Sequence, residues 1–143
     1  MLKNVPKLIG PELLKILCEM GHGDEIVIAD ANFPSANYGQ RVIRADGIGG
    51  AQMLSAILDL IPLDTYASPN MILMELQPCD IGKVNPTIWG EYETVAKAKD
   101  ENVAMGNIDR FDFYDRAKEA YAVIATGEEA IYANIILKKG VIK

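Results

Sequence analysis

The chain has 143 residues, half of them apolar, and carries 14 basic against 20 acidic side chains for a net charge of −6. That length fits one domain able to bury a sizeable core. The acidic balance and the scattered Lys and Arg exclude a nucleic-acid surface, which needs clustered positive charge. The longest apolar runs, "MILMEL" and "IVIA", are too short to cross a bilayer.

The opening "MLKNVPKLIG" has no long apolar stretch and no small-residue cleavage site, so no export signal is expected. "PELLKILCEM" sets Leu13, Ile16, Leu17 and Met20 at helical spacing. Pro11 suits the first turn of that helix and Gly21 its stop. Cys18 falls on the apolar side and is predicted to pack in the core. "EIVIAD" is a short strand, apolar on both faces, that ends at Asp30. Residues 31–40 are rich in Pro, Asn, Ser and Gly and read as a loop. "RVIRAD" is a second strand. "GGAQMLSAILDLIP" is a helix with Met53, Leu54, Ile57, Leu58 and Ile61 turned inward. "NMILMEL" is the next strand. "NPTIWGEYETVAKAK" reads as a helix capped by Asn85, with Pro86 at its first position. "RFDFYDRAKEA" is a further helix, "YAVIAT" a strand, "GEE" a turn and "NIILKK" the final strand. Helices alternating with short buried strands predict a layered α/β fold, one domain over 1–143, without internal repeat or linker.

Cys18 and Cys79 are far apart, and neither lies in a CxxC pair. With one histidine in the chain, no zinc site of familiar spacing can be drawn, so no metal is expected. Two lone cysteines and no export signal read as a reduced, cytoplasmic protein. "DGIGG" invites a phosphate-loop reading, but Gln52 stands where the third glycine of the dinucleotide fingerprint belongs, and no Walker-type GK[ST] exists.

Four polar residues in apolar settings remain. His22 lies between two glycines, after a helix stop and before a buried strand. It is either a bystander or a proton-transfer group in loop territory at a sheet end. A strand of that length sets His22 and Asp30 near opposite ends, so they need not touch within one chain. Arg110 opens an aromatic helix, an electrostatically poor place for a cation. It is a solvated partner of Asp109 or a group kept for a ligand. Tyr132 and Asn134 sit at the mouth of the last, apolar strand. They serve turn chemistry and ring packing, or they hold a polar ligand.

"GHGDEIVIADANFP" and "RFDFYDRAKEAYAVIATGEEAIYANIILKKGV" resemble the two signature regions of the fucose mutarotase and ribose pyranase family, and "RVIRADGIGG" resembles the segment between them. The resemblance spans nearly the whole chain and is thinnest from about Ser68 to Asn107. Arg110 in the "RFxFY" segment is similar to the fucose branch, since the ribose branch typically has His there. The resemblance implies a three-layer α/β sandwich with a mixed sheet. It also implies a ring of subunits, typically ten, and cofactor-free interconversion of sugar anomers. It implies His22 as the catalytic residue and Asp30 and Arg110 as sugar ligands. It implies, too, that Tyr132, Ala133 and Asn134 form the closing element, supplied by a neighbouring subunit.

The chemistry suits that inventory. Mutarotation opens a hemiacetal, rotates the C1–C2 bond and recloses the ring, so it needs a proton removed from the anomeric hydroxyl and one delivered to the ring oxygen. One imidazole can give and regain a proton. Asp30 accepts from sugar hydroxyls and Arg110 donates to them, both charge-assisted. A ribose-type pyranase shares this chemistry, and a non-catalytic sugar-binding or regulatory module shares the ligands. Arg110 favours the fucose reading over the first, and His22 disfavours the second. The expected partners are a monosaccharide and further copies of the chain, with no nucleic acid or membrane.

Overall fold

The computed structural model describes all residues, 1–143. In chain order the elements are helix α1 (Pro11–Glu19), strand β1 (Glu25–Ala29), the single-turn helix α2 (Ser35–Tyr38), strand β2 (Val42–Ala45), helix α3 (Gly50–Leu58) and strand β3 (Met71–Met74). Helix α4 (Ile88–Lys99), strand β4 (Met105–Ile108), helix α5 (Arg110–Glu119), strand β5 (Ala122–Thr126) and strand β6 (Ile135–Lys138) follow. The strands form one six-stranded sheet in the order β2-β5-β1-β6-β3-β4. It is mixed: β1 runs parallel to β5 and antiparallel to β6. β6 also runs antiparallel to β3, so the last strand divides two parallel blocks.

β1 is apolar at every central position because it is covered on both faces and both edges. Ile26 and Ile28 point into a cluster built with Leu13, Leu17, Leu54, Ile57 and Tyr92, from α1, α3 and α4. Val27 and Ala29 point the other way, against Phe33, Phe113 and Ala117. All four β1 side chains are fully shielded from solvent. Burying a Val or Ile side chain contributes roughly 1.5–3 kcal/mol, which explains why no polar residue interrupts the run. The molecule is therefore the three-layer α/β sandwich expected, with helices on both faces of a mixed sheet.

The structure departs from the sequence reading in four places. The 31–40 segment contains α2, one turn too short to show helical periodicity. Strand β4 was not read as one. "MGNI" carries Gly and Asn, which strands disfavour, and lies at the sheet edge, only partly buried. Helix α4 starts at Ile88 with Thr87 at its cap position, two residues beyond the Asn85–Pro86 start predicted. Cys18 is exposed and not in the core: α1 buries Leu13, Ile16 and Leu17, a narrower stripe than the spacing suggested.

Candidate functional site

β1 delivers Asp30 immediately beyond its last residue, and β6 begins immediately after Asn134. Because β1 and β6 are antiparallel, with Ile28 opposite Ile135, the end of one strand meets the start of the other. Asn134 accepts the Asp30 backbone N–H on its Oδ1 at 2.8 Å. It returns a bond from Nδ2 to Asp30 Oδ2 at 2.9 Å. The Asn32 backbone N–H donates to the other carboxylate oxygen at 3.0 Å. Asp30 and Asn134 are both buried. Burial pushes the Asp30 carboxyl above the usual carboxylate range, against the bonds it receives from the Asn32, Phe33 and Ala133 amides and from Asn134.

Arg110 reaches the same place from the first turn of α5. Asp109 caps that helix, its carboxylate accepting the Phe111 and Asp112 amides at 2.8 and 3.1 Å. The capping carboxylate offsets the poor electrostatics of a cation at a helix start. Arg110 Nε donates to Tyr114 Oη at 3.0 Å, one turn on. The Tyr114 ring in turn stacks on Tyr38 at 4.9 Å.

Tyr132 closes the site. Its backbone is left-handed, φ 60°, which a bulky residue adopts only when its surroundings impose it. Here they do. Trp89 Nε1 donates to the Tyr132 carbonyl and Tyr92 Oη to the Ala133 carbonyl, each at 2.8 Å. The phenol donates to Asp80 Oδ2 at 2.5 Å and accepts the Gln77 backbone N–H at 3.1 Å. Burial first, and the Asp80 carboxylate second, push the phenol's pKa up. Tyr92 packs so closely on α3 that a Cβ at position 50 would come within 2.0 Å of its hydroxyl, which explains Gly50.

Asp30, Arg110, Tyr132 and Asn134 line one cleft of about 350 Å³, with Phe33 and Met74 on its apolar side. Ala133 belongs to the wall: it is fully buried and holds its neighbours through its backbone. No three His, Cys, Asp or Glu side chains converge as metal ligands would.

The closing Tyr132–Asn134 element, expected from a neighbouring subunit, thus sits with Asp30 and Arg110 of its own chain, because β1 and β6 are paired antiparallel. It is His22 that lies elsewhere. It precedes β1, whereas Asp30 follows it; at about 3.3 Å per residue the five-residue strand sets the two roughly 15 Å or more apart, at opposite ends. The glycine at 23 is needed there, φ 85°. His22 Nε2 lies 3.0 Å from Asp64 Oδ1, with the imidazole 44% exposed and the carboxylate 3% exposed. The Tyr66 backbone N–H donates to the same oxygen at 3.0 Å. That amide first, with His22 adding to it against burial, holds the Asp64 carboxyl below the usual range. An ionised carboxylate only accepts, so Nε2 carries a proton toward Asp64 and Nδ1 is the ring nitrogen left to exchange one.

A family model described as the RbsD / FucU transport protein family matches residues 3–142. The chain belongs to this family. It is 50% identical over 145 residues to the fucose mutarotase of Homo sapiens, covering 99% of this chain and 94% of that protein. Its fold matches the crystal structure of FucU from Bifidobacterium longum with a TM-score of 0.94 and 52% identity, over 99% of this chain and 100% of that one. It matches the fucose mutarotase of Streptococcus pneumoniae, crystallised in complex with L-fucose, with a TM-score of 0.92 and 48% identity, again over 99% and 100%.

The sequence reading missed the supporting residues: Asp64 behind His22 and, at the cleft, Asp80 and Gln77 behind Tyr132, with Trp89 and Tyr92 on α4. A buried indole or phenol needs a hydrogen-bond partner, so the two α4 aromatics carried a usable signal. The two aspartates lie in irregular segments and carried none.

Proposed function

We propose that this protein is an L-fucose mutarotase, an isomerase that interconverts the α and β anomers of the sugar without a cofactor. The observation that carries the reading is the convergence of a buried carboxylate, a guanidinium, a phenol and an amide on one monosaccharide-sized cleft. Relatives about half identical over nearly the whole chain, one of them crystallised with L-fucose, support the same sugar. Asp30 accepts bonds from sugar hydroxyls, Arg110 donates to them, and Asn134 holds the Asp30 carboxylate in place.

The second proton group is His22, brought by a neighbouring copy of the chain. Two facts support a shared site: the length of β1 separates His22 from the cleft, and each end carries exposed apolar side chains. Tyr66 stands beside His22, and Ile81, Phe111 and Ile131 stand around the cleft. Contacts between unlike ends propagate head to tail, and they make a ring where the rotation between copies closes. A decamer is the ring size that the family resemblance implies. Asp64 orients the imidazole through Nε2, so that the ring can donate a proton to the ring oxygen as the hemiacetal opens. The two free thiols accord with a cytoplasmic setting.

The test is NMR exchange between the anomeric C1 protons of L-fucose at neutral pH, with catalytic amounts of protein, in chelator. Exchange faster than buffer alone is expected, with D-ribose as the comparison sugar. Binding of L-fucose without accelerated exchange would return the protein to a sugar-binding module.

A further inference from the structure

Ring opening needs a group that takes the proton of the anomeric hydroxyl while His22 supplies the ring oxygen. On the cleft side, Asp30 already accepts the Asn134 and Asn32 bonds and serves the sugar hydroxyls as an acceptor, and Arg110 has no basic atom. Of the other lining groups, Tyr132 and Asp80 form the one hydroxyl–carboxylate pair. A neutral phenol is a weak base by itself. What distinguishes this one is the Asp80 carboxylate, whose Oδ2 accepts the phenolic O–H with Oη 2.5 Å away. The turn that holds it is well made. The Asp80 amide donates to the Gln77 carbonyl at 2.9 Å, and the Asp80 carbonyl accepts the amides of Lys83 and Val84 at 3.0 Å. The Gln77 amide, from the same turn, donates to the phenol oxygen at 3.1 Å. One lone pair of Tyr132 Oη is then left for the sugar.

We infer that Asp80 is the terminal proton acceptor of the site, working through the Tyr132 hydroxyl. The inference rests on the mutarotase reading. As the ring opens, the anomeric hydroxyl passes its proton to Tyr132 Oη and the phenolic proton moves to Asp80. The electrons of the O1–H bond become the second C1–O1 bond. The C1–O5 bond breaks, and its pair takes a proton from His22. After rotation about C1–C2 every transfer runs backwards, so no proton or electron is left over. Asp80 is a positioning and relay residue; Tyr132 is the group that touches sugar. Cys79 neighbours the pair, and Asp30 and Arg110 share its cleft.

The test is Asp80→Asn in the full-length protein. The amide oxygen still accepts the phenolic hydrogen, so a merely structural role survives, but the amide takes no proton. Anomer exchange of L-fucose should fall about 100-fold, the scale of general acid–base catalysis, with sugar affinity changed no more than about twofold. Asp80→Glu should restore part of the rate. Tyr132→Phe should lose as much, and the double variant should be no slower than the slower single, since the two act as a unit. Independently of turnover, the Tyr132 Cζ resonance in 13C-tyrosine-labelled protein should titrate at lower pH in Asp80→Asn. If that variant fails to fold, Asp80→Ser carries the same expectations. An active wild type with an Asp80→Asn rate within about threefold of it overturns the relay alone. Multiplying losses in the double variant, or an unmoved Tyr132 titration, overturns it too. A wild type without exchange sinks the mutarotase reading, and the relay with it.

Discussion

Asn134→Ala separates two jobs that one side chain performs. Asn134 accepts the Asp30 backbone N–H and donates to the Asp30 carboxylate, and both residues are buried. A buried N–H left without a partner costs about 1–3 kcal/mol, and a lost bond to a charged group about 1.5–3. The cleft adjoins Asp30, so water can replace part of the second loss but not the first. A net destabilisation of about 2–4 kcal/mol follows. For a chain of this size that lowers the melting temperature by roughly 10 °C. Arg110→Ala is the contrast: its side chain is exposed and bonds only Tyr114, so folding should be almost unaffected. Both variants should bind L-fucose far more weakly. The assay is thermal unfolding by circular dichroism at fixed chain concentration, because assembly makes the midpoint concentration-dependent. Titration of the sugar is run alongside. An Asn134→Ala protein that melts within about 2 °C of wild type would refute the clamp, since that shift corresponds to less than one hydrogen bond.

Two further outcomes follow from the same geometry. His22→Ala and Asn134→Ala, each nearly inactive, should partly restore activity when dissociated, mixed and reassembled. Roughly a quarter of the boundaries in a closed ring then join an intact His22 to an intact Asn134; mixed rings confirmed by mass but still inactive would place the whole site in one chain. The pH dependence of sugar binding tests Asp30. Burial raises its carboxyl above the usual carboxylate range, so as pH falls the accepting form disappears earlier than for an exposed aspartate. Affinity measured by titration should decline below neutrality sooner than an exposed aspartate allows, and a flat affinity down to pH 4 would remove Asp30 from the sugar's ligands.

The layers were legible because the core writes its pattern into the chain. A strand buried on both faces leaves no room for a polar residue, and "IVIA" between Glu25 and Asp30 marks such a strand unambiguously. Strand β4 was not legible for the complementary reason. It is paired only with β3, half open to solvent, and tolerates Gly106 and Asn107. Gly106 even has a packing reason invisible in sequence, since a Cβ there would press to 2.6 Å from Pro69.

The site divides along the same line. Asp30 and Asn134 could be found because each is a polar residue abutting an apolar strand, where an unpaired carboxylate or amide would be costly. Their mutual clamp follows from the antiparallel pairing of β1 with β6, which no local pattern reveals. Asp64 and Asp80 answer to side chains 42 and 52 residues away. They sit in irregular segments where an aspartate is ordinary turn chemistry. What the fold adds to the sequence is thus the partners: it gives the imidazole a carboxylate at one end of the sheet and the phenol a carboxylate at the other. The rigid sheet keeps the two pairs apart within a chain, so the proposed reaction, in which one gives a proton and the other takes one, calls for a second copy to bring its imidazole to the phenol of the first.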